Sequence, residues 1–219
     1  LSLAQLCRIS HDIKDQWQSI SSIGFDQSRV WHQVMGPGCF PDPDMLQIGA
    51  IGIPNTPNPA FLPTRLTLEE QRLQFTLWCI LSAPLLLSCD IAGMDESTFR
   101  LLTNDELIAI DQDPLVAPPE IRDRGNGIVE YRKTLADGTT AIALFNRADE
   151  KLSCRLGEEL RGRELWSGEE LELCGDFAVA PRSVRLYRTL LPEPKETAFR
   201  KAAFNGAYLK RENLATGTF

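Results

Sequence analysis

The chain has 219 residues, of which 43% are hydrophobic and 24% charged, with a formal net charge of −7. That balance is an ordinary globular one, long enough for one large domain or two small ones. The acidic charge, with no stripe of Lys and Arg, argues against nucleic acid or an anionic membrane surface as partner. The longest apolar stretch, LWCILSAPLLLSCDI over 77–91, holds Ser, Pro and Asp and is too short to span a bilayer. The chain starts at Leu1 rather than Met, which reads as a processed or cut product.

Residues 3–10, LAQLCRIS, have the composition of a short strand. Over 12–24, Ile13, Trp17, Ile20 and Ile23 recur at helical spacing, and Gly24 suits a helix end. GPGCFPDPDMLQIG follows, turn residues leading into an apolar run. Residues 51–65, rich in Pro and Asn, read as a long loop. Thr67 with Glu70 three residues on forms a capping box for a helix over 67–84. LLLSCDI (85–91) is a strand candidate ending at Asp90, and residues 95–114 supply further helical turns. Repeated strand–helix units of this kind predict a parallel sheet flanked by helices, its strands buried on both faces.

From about residue 121 polar and apolar residues alternate, and Asp137-Gly138 marks a hairpin. ELWSGEELEL carries a Ser-Gly turn, and FAVAPRSVRLY offers more strand-like segments. The predicted fold class is therefore α/β followed by all-β: an α/β part over 1–116, a small antiparallel β domain over 117–190, and a linker and tail over 191–219.

Six cysteines lie at 7, 39, 79, 89, 154 and 174 without CxxC spacing, and only His11 and His32 could add nitrogen ligands, a poor set for zinc. Cys79 and Cys89 read as buried thiols. Cys154 and Cys174 flank a hairpin-like segment and read equally as a pair or as free thiols.

In parallel strand–helix folds the loops after the carboxyl ends of the strands carry the chemistry. Asp12, Asp42 with Asp44, and Asp90 each sit near such an end, and Arg8 lies four residues before Asp12. Carboxylates for acid/base work beside charged groups that bond hydroxyls suit a sugar site, with Trp17 and Phe40 as candidate stacking platforms. Structural readings stand beside these. Arg8 and Asp12 make a plain ion pair, Asp12 caps a helix, Asp-Pro-Asp forms an Asx turn, and the aromatics belong to the core.

Segment order favours the sugar reading. RISHDIKDQW, GPGCFPDPDML, LTLEEQRLQFTLWCILSAPLLLSCD and LLTNDELIAIDQDPL resemble, in register, four consecutive signatures of the α-galactosidase family of retaining glycoside hydrolases, family 27. In that family the second reads Gly-Pro-Gly-x-Trp-Asn-Asp-Pro-Asp-Met-Leu and the last contains Asn-Gln-Asp. TAIALFNR and ELWSGEEL resemble strands of the family's C-terminal β domain.

The resemblance implies the last three βα units of a (β/α)8 TIM barrel over 1–116, followed by a small antiparallel β-sandwich. It also implies Asp12 as general acid/base, Arg8 and Met45 as sugar contacts, and Asp44 as a carboxylate bonding a ring hydroxyl; Asp42 is left structural. The nucleophile strand has no counterpart in this chain, so the chain alone is expected to be inactive. The implied substrate is an α-galactoside, with α-N-acetylgalactosaminidase or β-L-arabinopyranosidase activity, or a non-catalytic sugar-binding piece, as alternatives. No metal or organic cofactor is implied.

Retaining hydrolysis needs two carboxyl groups about 5–5.5 Å apart, the acid with a raised pKa. A guanidinium in contact with Asp12 would oppose that, so Arg8 is expected to aim mainly at substrate hydroxyls. An incomplete barrel leaves a strand edge open, and a homo-oligomer is one expected consequence. A secreted or periplasmic location follows from the resemblance. Phe40-Pro41 stands where the family has Trp-Asn, Cys39 where a small residue is usual, and Ala4 where animal members carry a disulfide cysteine.

Overall fold

A computed structural model describes residues 5–31, 35–52 and 60–191. Residues 192–219 of the linker and tail, and residues 53–59 of the loop expected at 51–65, lie outside the described residues.

Strand β1 (Leu6–Arg8) pairs in parallel with β2 (Phe40–Asp42), Arg8 standing opposite Asp42. The next step is also parallel, a bridge between Leu46 and Leu87, with the Leu46 amide donating to the Leu86 carbonyl at 2.8 Å. The run 85–91 is extended but makes isolated bridges rather than a continuous strand. Its Cys89 pairs antiparallel with Ile51. The ends of the expected 51–65 loop instead form a short hairpin, β3 (Ala50–Gly52) with β4 (Phe61–Pro63).

The first helix starts later and runs further than its periodicity predicts. It opens with α1 (Trp17–Ser21), passes through a wider π-helical stretch (Ser22–Gln27) and closes as α2 (Ser28–Trp31). Residues 12–16 stay outside the helix because tertiary partners take their polar groups: the Ile13 amide donates to Asp44 and the Asp15 carboxylate accepts from Arg65. Gly24 is mid-helix, and its role is close packing. A Cβ there would lie 2.6 Å from Leu77 Cδ2 and 3.0 Å from the Trp78 ring.

Helix α3 (Leu68–Ile80) has the expected capping box. Thr67 Oγ1 accepts the Glu70 amide, and the Glu70 carboxylate accepts the Thr67 amide. Two short helices follow, α4 (Glu96–Leu102) and α5 (Asp105–Asp111), capped by Asp95 and Asn104.

Six strands form one antiparallel sheet in the order β5-β6-β7-β10-β8-β9. They are β5 (Glu120–Asp123), β6 (Ile128–Thr134), β7 (Thr140–Asn146), β8 (Leu152–Glu164), β9 (Glu170–Val179) and β10 (Ser183–Thr189). The expected sandwich of two packed sheets is thus a single curled sheet. Long β8 slips register against β9 between Gly157 and Arg161, and the slip lets the pair bend back over β6, β7 and β10. Leu144, Leu156, Leu173, Val179 and Tyr187 fill the fold of that curl.

The other face of the sheet packs on the helices in one continuous core. Phe25, Tyr131 and Phe145 meet edge to face with centroids 5.3–6.2 Å apart, beside Leu73, Leu77 and Trp78. Such burial, at roughly 1.5–3 kcal/mol for each large side chain, is what joins the two parts.

Candidate active site

Parallel pairing of β1 with β2 brings the two carboxylate-bearing loops together at the strands' carboxyl ends. The Ile9 amide donates to the Asp42 carbonyl at 2.9 Å, closing the register. Beyond it the chain turns sharply at Asp44, whose φ of 82° is left-handed, a region Asp tolerates better than most residues. Asp42, buried at 6% exposure, holds this turn by accepting the Asp44 amide at 2.8 Å. Its carboxylate is spent within the turn, as the Asx reading requires.

Asp44 is the hub. Its Oδ1 accepts the Met45 amide at 2.8 Å, and its Oδ2 accepts the Ile13 amide at 2.8 Å and pairs with Arg8 Nη2. Its own carbonyl accepts the buried indole N–H of Trp78 at 2.8 Å. Arg8 Nη2 also lies 3.3 Å from Asp12 Oδ1, and Arg8 Nε donates to Ser10 Oγ at 3.2 Å. Arg8 therefore bridges the two carboxylates rather than aiming mainly outward. With anionic oxygens converging on it from two loops, the guanidinium makes charge-assisted bonds at once. The Asp12 side chain is 99% exposed, that of Asp44 only 12%.

Met45 is half-buried beside the hub. Its carbonyl accepts Gln74 Nε2 at 3.3 Å, while Gln74 Oε1 takes the Gln47 amide and Gln71 Oε1 the Gly49 amide. Two glutamines on α3 thus replace a regular neighbouring strand for residues 45–49. Trp17 offers no stacking face. It is buried, and Arg182 lies 5.6 Å from its ring centre. Phe40 sits at the opposite end of β2 from the carboxylates, lining a cavity with Leu6 and Pro84. Asp90 accepts the Ala92 amide at 3.1 Å in a turn of its own.

Asp15 and Arg65 pair across 50 residues, a separation at which no local sequence signal marks them. The Asp15 carboxylate accepts the Arg65 amide and Nε, both at 3.0 Å, and Nη2 at 2.5 Å. Those bonds hold the Asp15 carboxyl below its ordinary range. The clamp fixes the Asp12 loop to the segment that starts α3. Arg182, from the β9–β10 turn, bonds Glu70 at 3.1 Å and so ties the sheet to the same corner.

Known proteins similar in sequence and in fold to this chain share one family. The family model described as Alpha galactosidase A matches residues 2–113. An alpha-galactosidase of Cyamopsis tetragonoloba is 31% identical over 204 residues, 83% of this chain and 46% of that protein. An alpha-N-acetylgalactosaminidase of Gallus gallus is 31% identical over 181 residues, 76% of this chain and 42% of that protein. Among solved structures, a family 27 β-L-arabinopyranosidase of Geobacillus stearothermophilus superposes with a TM-score of 0.77 at 30% identity, covering 88% of this chain and 46% of that one. The chain spans less than half the length of these relatives. It belongs to the α-galactosidase family of glycosidases, glycoside hydrolase family 27.

Proposed function

We propose that this chain is the C-terminal part of a retaining α-galactosidase-type glycoside hydrolase. In this reading residues 1–116 supply the last three βα units of a (β/α)8 barrel, 117–190 the β domain, and 191–219 a linker and tail. The observation that carries it is the meeting of Asp12, Arg8 and Asp44 at the carboxyl ends of two parallel strands. Leu6, Leu86, Leu87 and Ile91 are exposed on the adjoining strand-like segments, which suits an edge that further strands would cover.

Asp12 is the general acid/base: it protonates the leaving oxygen, then takes a proton from the attacking water. The nucleophilic carboxylate comes from residues outside this chain. Asp44 is a poor nucleophile, since both its oxygens are already bonded to Ile13, Met45 and Arg8. It orients a ring hydroxyl and fixes the Asp12 loop, with Arg8 and Met45 completing the sugar contacts. Covering the site buries Asp12 and sets a second carboxylate near it, the pair that retaining hydrolysis uses. The chemistry needs no cofactor.

The test is nitrophenol release from p-nitrophenyl α-galactoside. The 219-residue chain and its Asp12→Asn variant should both be silent. In a longer protein that includes the upstream units, Asp12→Asn should cost about 100- to 10,000-fold, the usual share of general acid–base catalysis. Turnover by the 219-residue chain that the variant loses would overturn the nucleophile assignment. A β-L-arabinopyranoside is the second reading, favoured by the arabinopyranosidase likeness, and its nitrophenyl substrate belongs in the same assay.

A further inference from the structure

Lys133 is fully buried on β6, in phase with Val129 and Tyr131 on the face that meets the helices. Its ammonium donates to the Ile110 carbonyl at 2.7 Å, to Ser82 Oγ at 2.5 Å and to the Cys79 carbonyl at 3.4 Å. Ile110 and Cys79 lie in the last turns of α5 and α3, so one cation serves the negative ends of two helices. Asp111, next along α5, has an Oδ1 that is buried and finds no hydrogen-bond partner among the described residues. Asp111 also lines a cavity of about 340 Å³ with Ser82, Gln112 and Asp113.

We propose that Asp111 and Lys133 form a proton-operated latch between the helices and the antiparallel sheet, closed while Asp111 is neutral and loosened when it ionises. A neutral carboxyl can leave Oδ1 unpaired at modest cost, whereas a buried carboxylate needs donors. On losing its proton to solvent, Asp111 finds one donor in the Lys133 ammonium and others in water entering the cavity. Either response draws on the contacts that hold α3 and α5 to β6.

The other ionisable groups here are Cys79 from α3 and Asp113 after α5. Asp113 is already engaged, accepting the Leu115 amide at 3.1 Å and the Ala136 amide at 2.9 Å. Burial pushes the Asp111 carboxyl up to about 7, with Lys133 opposing, and pushes Lys133 down to about 8, with Asp111, Asp113 and Cys79 opposing. Burial also raises the Cys79 thiol, keeping it neutral across this range. The family segment that Asp111-Gln112-Asp113 resembles reads Asn-Gln-Asp, so Asp111 puts a titratable group where the quoted motif has a neutral one of the same shape.

The folded-state value of Asp111 lies above its unfolded value. Its contribution is therefore fully present below about pH 4 and is lost as pH rises to about 7. The test compares urea unfolding of the 219-residue chain with its Asp111→Asn variant between pH 5 and 8. Relative to the variant, the folding constant of the wild-type chain should fall about tenfold per pH unit up to pH 7 and then level off, the linkage of one proton. Parallel profiles would overturn the latch. Carbon-13 NMR of the Asp111 carboxyl supplies a second readout: titration near 4 overturns the proposal, and titration near 7, moving higher in Lys133→Met, supports it. Amide exchange at Leu81 and Gln112, the C-caps of α3 and α5, separates a latch from a uniform stability change. Corrected for intrinsic rate, it should quicken between pH 5 and 7 and level off above that, in the wild-type chain alone.

Discussion

Asp44→Asn tests whether the hub is built as described, because asparagine keeps the shape and tolerates the φ of 82°. Asparagine has one acceptor oxygen where the carboxylate had two. One of two amide donors, Ile13 or Met45, must then face an NH₂ group. A bond from a buried amide to a charged acceptor is worth about 1.5–3 kcal/mol, more than a neutral bond. The lost pair with Arg8 adds less, about 1 kcal/mol at most, since the Arg8 side chain is 37% exposed and water screens it. The sum is a loss of about 1.5–4 kcal/mol, read as a lower urea midpoint with unchanged slope. Asp12→Asn touches the same guanidinium, but its side chain is 99% exposed and should leave the midpoint where it was. A cost below about 1 kcal/mol for Asp44→Asn, or equal costs for both, would refute the division of labour between hub and acid.

Other outcomes follow from packing and burial. Gly24→Val should destabilise the chain by about 2–3 kcal/mol by overpacking against Leu77 and Trp78, and urea unfolding would show it; a neutral result would mean that the helix can shift. The thiols should react with an aromatic disulfide reagent in the order of their exposure, Cys174 early and Cys79 last, because burial raises the Cys79 thiol. Cys154 and Cys174 should stay unlinked under air, as intact mass would show. Cys154 stands opposite Phe177 in the β8–β9 ladder and Cys174 opposite Gly157, and one thiol is buried while the other is exposed. Asp15→Ala should speed amide exchange at Ile13, because it frees the loop from Arg65; unchanged protection would mean that Asp44 holds the loop alone.

What could be read from the sequence was whatever neighbours decide. The Thr67–Glu70 box, the Asp137-Gly138 turn, and the Asx turn at Asp42 are closed by groups two or three residues apart, and each formed as expected. The helix expected from residue 12 failed at its start because its first polar groups are claimed by Asp44 and Arg65, 31 and 50 residues away. Gly24 misled for a related reason: a glycine that ends a helix and one that admits a neighbouring helix look alike until Leu77 is beside it.

The site itself was half legible. Arg8 and Asp12 are four apart and meet on their own, but Asp44 joins them only through the parallel register that sets Arg8 opposite Asp42. Alternation in GIVEYRKTL marked the strand correctly but not what covers its two faces. It presents one polar face and one apolar face only if water covers the first. Here the sheet curls and packs on both sides, so Glu130 and Lys133 are both buried, one on each face. Glu130 is matched by Arg124 and Arg132, whereas Lys133 is matched by helix-end carbonyls and a hydroxyl. A lysine in phase with Val129 and Tyr131 was the signal in the sequence that this strand had no solvent face. A buried ammonium needs acceptors, and here two helix-end carbonyls and the Ser82 hydroxyl supply them.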